Sequence, residues 1–328
     1  MLVSVIIPVY NGDRYLQECL DSVKACPSTE MECIIIDDGS TDGTRGICGQ
    51  FTAADSRFRL ISKANTGVSD SRNEGLAAAS GDYVFFLDAD DYLDTAWWRE
   101  ILDRAAEGDF DMIAYGYYDL FESGEKKKEQ FPKGCDIKRA LLSTTLMNVC
   151  WSKLLRRETI TKNGLAFRKE LKTCEDAVFI LDFARKAEKF LLSDVCLVYY
   201  RIHAGGIMKV TGLESKASDL GALFDSRKGY LAENYDESLS IAMYRQFFSI
   251  ITDLLRGYAG NRRIRDIGSM YKSCMDNDAI KGAMNEVRKG YLSPFYKRIE
   301  YALLQRGCYS CLGAYFKVKL RFSIERRR

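Results

Sequence analysis

Histidine is nearly missing from this chain: His203 is the single one among 328 residues. That scarcity argues against a Cys/His zinc site, although eleven cysteines are present, because "CYSC" (308–311) is a lone CxxC with no second block. It also leaves any Ser-His-Asp triad dependent on His203, with no nucleophile-elbow sequence to accompany it. No apolar stretch approaches the ~20 residues of a membrane-spanning helix. The first apolar run, "LVSVIIPVY", lacks a charged leader and a small-residue cleavage site. We therefore expect a cytoplasmic chain whose cysteines are mostly reduced, buried thiols. GxGxxG after the first strand and GxxxxGK[ST] are both absent, which removes support from dehydrogenase and P-loop readings. A net charge of +2 gives no global field for nucleic acid.

What is present is the composition of a folded protein, 47% hydrophobic and 29% charged. "LVSVIIPVY" (2–10), "MECIIIDDG" (31–39), "RFRLISK" (57–63), "DYVFFLDA" (82–89) and "DMIAYGYYDLF" (111–121) read as strands. Helical patterns at 14–26, 42–54, 67–80 and 95–106 separate them. This alternation predicts a mostly parallel α/β sheet with helices on both faces, and a ligand site beyond the carboxyl ends of the strands. "ESGEKKKEQ" (122–130) reads as a turn between an outgoing and a returning edge strand. Helices are expected at 136–147 and 175–189, and a strand at 196–203. From about 213 the pattern is helical, and a boundary is placed near 210.

Two of the expected strands end in carboxylates. "FFLDADDYLD" (85–94) carries Asp88, Asp90, Asp91 and Asp94, and "IIIDDGSTD" (34–42) carries Asp37 and Asp38. Like charges at this density repel and raise one another's pKa, so a compensating positive charge is called for. Oxygen-rich clusters suit Mg2+ or Mn2+, which commonly bind one or two carboxylates plus substrate phosphates. The plainer reading of "DADD" is a polar loop and a helix cap, and that of "DDGS" is an Asp-Gly turn before a cap. Arg72, on the expected helix after Asn65 and Gly67, can pair with phosphate or with a strand-end aspartate.

The segments "VSVIIPVYNG", "IIIDDGSTDGT", "NTGVSDSRNEGL", "GDYVFFLDADD" and "CEDAVFIL" stand in an order that resembles family 2 glycosyltransferases of the GT-A fold, over residues 1 to about 205. "NVCWSKLLRR" (148–157) is similar to bacterial members, of the kind that build surface polysaccharides. The resemblance implies a catalytic domain over 1–210, with a nucleotide-binding half at about 1–110 and an acceptor half at about 111–210. It implies a nucleotide-sugar donor, usually a UDP-sugar, and transfer with inversion to a hydroxyl of a glycan or lipid-linked acceptor. Carried onto this sequence, Pro8, Asp38, Asn65, Arg72 and Asp88 face the nucleotide. Asp88 and Asp90 match the metal-associated DxD, with Asp90 the direct ligand of Mn2+ or Mg2+, and Asp91 extends the acidic patch. Asp176 takes the place of the general base, which removes the acceptor proton as its oxygen attacks. Glu175 beside it is assigned to the acceptor. For both acids, placement at a helix N-terminus is the structural alternative.

His203, with Arg201, is expected to face the diphosphate or complete the metal shell, against a purely structural hydrogen-bonding role. Trp151 either stacks on an acceptor sugar or packs in the core. Residues 293–328 mix aromatic, Arg and Lys residues, which suits either an anionic membrane surface at the inner face of the cell membrane or an oligomer contact. Two rival functions stand beside this one: a catalytically idle sugar-nucleotide-binding subunit, and a haloacid-dehalogenase-type phosphatase. The second needs two aspartates separated by one residue, whereas Asp37 is followed by Asp38 and Gly39.

Overall fold

The computed structural model describes residues 1–26, 30–203, 213–259, 267–287, 292 and 295–325. It comprises two compact units, Met1–Val210 and Thr211–Arg328. In the first unit nine strands form one sheet: β1 (Val3–Val9), β2 (Met31–Asp37), β3 (Phe58–Ser62), β4 (Tyr83–Phe86), β5 (Tyr92–Leu93), β6 (Met112–Phe121), β7 (Lys126–Glu129), β8 (Lys153–Arg156) and β9 (Phe190–Ile202). Their order across the sheet is β3-β2-β1-β4-β8-β6-β9-β5, with β7 hydrogen-bonded to β6. Helices α1 (Leu16–Lys24), α2 (Thr44–Ala54), α3 (Val68–Ala78), α4 (Trp98–Gly108), α5 (Ile137–Ser143), α6 (Arg157–Lys162) and α7 (Glu175–Ala184) complete this unit.

Strands β1, β2, β3 and β4 run parallel. β8 runs against both of its neighbours, β4 and β6. Two reversals restore the direction, so β6 and the parallel β9 point the same way as β4. Six strands therefore deliver their carboxyl ends to one rim, and β8 contributes its beginning there. β1 is buried along its whole length, as a parallel strand covered on both faces must be. α1 meets the sheet with Leu16, Leu20 and Val23, one helical stripe. α3 lies unusually close to β1: a Cβ on Gly75 would stand 2.3 Å from Cγ2 of Ile6.

The expected order of strands and helices is present through β6, and the later segments differ in detail. The helix expected from 95 opens as a 3₁₀ turn, Thr95–Trp97, whose Ala96 N–H is capped by Asp94. The helix expected over 136–147 is α5 followed by a separate 3₁₀ turn, Leu146–Asn148. The strand expected at 196 begins at Phe190, and its pairing with β6 shifts register around Gly116. β5, β8 and α6 have no counterpart among the elements expected from the sequence.

Among the described residues the second unit is helical: Leu213–Glu233, Glu237–Ala259, Ile267–Asp276, Asp278–Glu286, Phe295–Gln305 and Tyr309–Glu325. Phe247, Phe248, Ile251, Leu255, Tyr271, Leu312 and Phe316 are buried in it. So is Glu300, fully enclosed, with Lys319 at 3.2 Å and Arg256 at 3.5 Å. Lys319 belongs to the basic stretch 317–328, and residues 326–328 of that stretch lie outside the described residues. No helix among the described residues is long and apolar enough to cross a membrane. All eleven cysteines are free, and seven are buried.

The α3–β1 approach yields a stability prediction. Gly75→Ala forces a methyl group against fully buried Ile6, an overpacking that costs about 1–3 kcal/mol. Thermal unfolding should show the melting temperature lowered by several degrees, and an unchanged one would disprove the tight approach.

Candidate functional site

The carboxylate-bearing strand ends meet on the common rim, where three groups of polar side chains form. The first gathers around Asp38, just beyond β2. Its Oδ1 accepts from Thr66 N–H at 2.9 Å and its Oδ2 from Gly67 N–H at 2.8 Å. Lys63 pairs with Asp38 and also reaches Asp70 on α3. Gly39 makes this packing feasible: its φ is +80°, and a Cβ there would lie 2.9 Å from Asn65 N. Asn65 itself is exposed, and Pro8 is buried in β1 opposite Ile36. The loop after β1 is tied in by Asn11, whose Oδ1 accepts from Thr41 N–H while its own N–H donates to Ser40 Oγ. Asp37 takes no part in the rim surface. Burial would raise its pKa, but hydrogen bonds from Ser40 and Arg45 outweigh that and hold the carboxyl below its ordinary range.

The second group centres on Arg72, 3% exposed on α3. One guanidinium nitrogen donates to Asp176 Oδ1 at 2.7 Å and to Glu175 Oε1 at 2.9 Å. The other donates to Asp88 Oδ1 at 3.0 Å. Three carboxylates from two distant parts of the chain thus share one cation. Asp176 Oδ2 accepts from the backbone N–H of Cys150 at 3.1 Å, just before β8. Burial raises Asp88 to about 6, against the pull of Arg72 and with repulsion from Asp90 and Asp176 adding to it. Burial, and then Asp176, also push Glu175 upward.

The third group is Asp90 with His203, Oδ2 to Nε2 at 2.8 Å. β9 is latched to this loop at two points. Arg201 N–H donates to Asp91 Oδ1 at 2.8 Å, and Arg201 Nε donates to the Asp90 carbonyl at 2.9 Å. Asp91 is 1% exposed, and burial, followed by repulsion from Asp90 and Asp88, holds it well above the usual carboxylate range.

The structure brings together Arg72, Asp88, Glu175 and Asp176, and it brings together Asp90 and His203. Among the described residues no side-chain hydrogen bond joins the Asp38 group to Arg72; the two share α3, which starts beside the first and carries the second. Two expectations need correction. The Arg201 guanidinium is engaged by the protein itself: it donates to the Asp90 carbonyl at 2.9 Å, binds Glu18 at 2.7 Å and lies over Tyr15 and Tyr92. Trp151 packs in the core, 4% exposed, with one face stacked on Tyr200 at 5.0 Å. Sequence reasoning missed Lys63, whose ammonium neutralises Asp38, and Lys153. Lys153 is fully buried and donates to the Leu146 carbonyl at 2.8 Å. Burial lowers it to about 7, with Cys150 and Asp176 opposing. Neither lysine sits in a pattern that sets it apart locally.

Asp90 and His203 offer one carboxylate and one imidazole to a divalent cation. Among the described residues no group of three or more His, Cys, Asp or Glu is arranged to hold a metal unaided. Two protein donors suffice for Mg2+ or Mn2+ only where substrate phosphates and water fill the remaining positions, and the pair fits that mode of binding.

The chain is similar to known proteins in sequence and in fold. The family model described as Glycosyl transferase family 2 matches residues 4–164. The putative glycosyltransferase EpsH of Bacillus subtilis is 31% identical over 243 residues, covering 71% of this chain and 70% of the relative. EpsJ of the same organism, an uncharacterized glycosyltransferase, is 25% identical over 300 residues, 86% of each chain. Staphylococcus aureus TarS 1–349, solved with UDP-GlcNAc, superposes with a TM-score of 0.72 at 20% identity, over 98% of this chain and 92% of that one. That likeness shows the GT-A fold. With the family model covering β1 to β8 and EpsH matching at 31% identity over most of both chains, the chain belongs to glycosyltransferase family 2.

Proposed function

We propose that this glycosyltransferase moves a sugar from a UDP-sugar to a hydroxyl of a glycan or lipid-linked acceptor, with inversion and with Mn2+ or Mg2+, during assembly of a bacterial surface polysaccharide. The observation that carries the proposal is the Arg72 hub, which sets Asp176 at the rim beside Asp88. UDP-GlcNAc in the TarS structure supports a UDP-linked donor. The surface-polysaccharide setting is supported by the resemblance of the sequence to bacterial members of the family. A membrane-surface role for residues 293–328 is supported by their mixture of aromatic and basic residues.

In this reading Asp176 is the general base. Arg72 and the Cys150 N–H orient its carboxylate, leaving lone pairs to accept the acceptor's proton. Glu175, held on the same guanidinium, flanks it toward the acceptor. Attack on the face opposite the leaving diphosphate inverts the anomeric centre. Asp38, Asn65 and Pro8 border the nucleoside. Asp90 and His203 would hold the cation, whose positive charge would offset the negative charge of the departing diphosphate. Electrostatics favours such an ion. Once pH exceeds the raised titrations of Asp88 and Glu175, three carboxylates face one guanidinium, an excess of negative charge that would repel a nucleotide diphosphate.

Three outcomes test this. Asp176→Asn should lower turnover about 10²–10⁴-fold with UDP affinity unchanged, and near-normal turnover would remove the base from the mechanism. UDP should raise the melting temperature with Mn2+ present and lose most of that effect in EDTA or in Asp90→Ala. Equal stabilisation by UDP in EDTA would overturn the metal assignment.

The third concerns pH. The folded-state pKa values of Asp88 and Glu175 lie above their ordinary values, so each favours the fold while protonated. That contribution is complete below the unfolded pKa near 4 and disappears as pH rises through about 6 for Asp88. The unliganded enzyme should therefore lose stability between about pH 5 and 7. Asp88→Asn should show a smaller loss in denaturant titrations, and an identical pH slope in the two proteins would contradict the assignment.

A further inference from the structure

Three half-buried polar groups on the acceptor side of the rim have no hydrogen-bond partner among the described residues. Asp119 near the end of β6 lies opposite Tyr200 of β9 in the parallel ladder, and its carboxylate makes no hydrogen bond or ion pair there. The residue facing it from β7 is Lys127, whose ammonium is engaged by Glu129. The phenol oxygens of Tyr117 and Tyr200 likewise make no hydrogen bond among the described residues. None of these oxygens is enclosed, so three hydrogen-bonding groups on one face are open to solvent and available to a ligand.

A continuous set of contacts joins this face to the reaction centre. Cys150 N–H holds Asp176, and the next residue, Trp151, stacks on Tyr200 with the rings 10° from parallel. Tyr117 packs edge-on against both Trp151, at 4.8 Å, and Tyr200, at 6.1 Å. The indole thereby fixes the two phenols instead of meeting a ligand itself. Burial, and then the negative charges of Asp91, Asp88, Asp90 and Asp119, push the Tyr200 phenol up to about 12. It remains a protonated donor lying between the strand-end aspartates and Asp119. Asp119, for its part, is the stronger acceptor while ionised; burial and then Glu129 raise it above its ordinary range, with Lys127 opposing.

We propose that Asp119, with the phenols of Tyr117 and Tyr200, forms an acceptor subsite that binds the hydroxyl groups of a pyranoside presented to Asp176. A carboxylate acceptor beside phenol donors matches a sugar hydroxyl, which both donates and accepts, and aromatic walls suit the apolar face of a sugar ring. The inference rests on the glycosyl-transfer reading above and deepens it by assigning specificity residues for the acceptor.

The test uses the full chain saturated with UDP and Mn2+, and a panel of methyl hexopyranosides, N-acetylhexosaminides and uronides as probes, with binding read by saturation-transfer NMR. At least one glycoside should bind the wild type, and Asp119→Asn should weaken it about tenfold or more, the loss of a hydrogen bond to a charged acceptor. UDP affinity should stay unchanged, which also shows that the variant is folded. Binding should weaken as pH falls through the Asp119 titration in the wild type and not in the variant. Failure of UDP to bind the wild type would strike the donor assignment. UDP binding with no bound glycoside, or with equal glycoside affinity in wild type and Asp119→Asn, would overturn the subsite. Should Asp119→Asn also lose UDP, Tyr200→Phe decides, because it removes one hydroxyl and keeps the ring: unchanged glycoside affinity there would reject the proposal.

Discussion

One guanidinium organises the rim. Arg72 is almost wholly enclosed, and it has Asp88, Glu175 and Asp176 within hydrogen-bond distance. Burying a cation without partners is prohibitive, and so is burying three carboxylates without a cation. Each side of the cluster therefore depends on the other. This fixes α3 against both the end of β4 and the start of α7, elements separated by about a hundred residues of chain. The crowded acids are held by three different partners: Arg72 compensates Asp88, the Arg201 amide donates to Asp91, and Asp90 is paired with His203.

The antiparallel β8 does as much for the site as the parallel strands around it. Because it enters the sheet at the rim, its leading residues Cys150 and Trp151 stand among strand ends. There a backbone N–H reaches Asp176 and an indole supports Tyr200. A parallel strand in the same place would present its last residues and could not bring that N–H to the rim. Lys153, buried beneath, donates to the Leu146 carbonyl and so secures the turn that leads into the strand.

The part of the fold written most plainly in the sequence is the alternation of β-branched runs with amphipathic stripes from β1 to β4, where burial on both faces forces near-continuous hydrophobicity. β8 escapes detection because four residues, KLLR, carry neither alternation nor a long apolar run. β9 begins early because its first half is broken by Ser193 and Asp194 at a register shift, which hides the period. At the site, the sequence offers Arg72 two kinds of partner, phosphate or a strand-end aspartate, and the structure shows the second in Asp88. Its companionship with Glu175 and Asp176 has no local signal, since contacts across a hundred residues are set by strand order. Asp119 is equally silent, being one acid among aromatic residues whose meaning comes from what β7 and β9 place beside it.

The latch between β9 and the acidic loop has a mechanical result. Arg201 holds the Asp91 carboxylate through its amide and the Asp90 carbonyl through its side chain, while His203, two residues on, holds the Asp90 carboxylate. Tyr200 sits at the same end of that strand. The strand tip and the acidic loop are thus pinned by three hydrogen bonds within three residues, so neither can shift without breaking a bond that the other supplies.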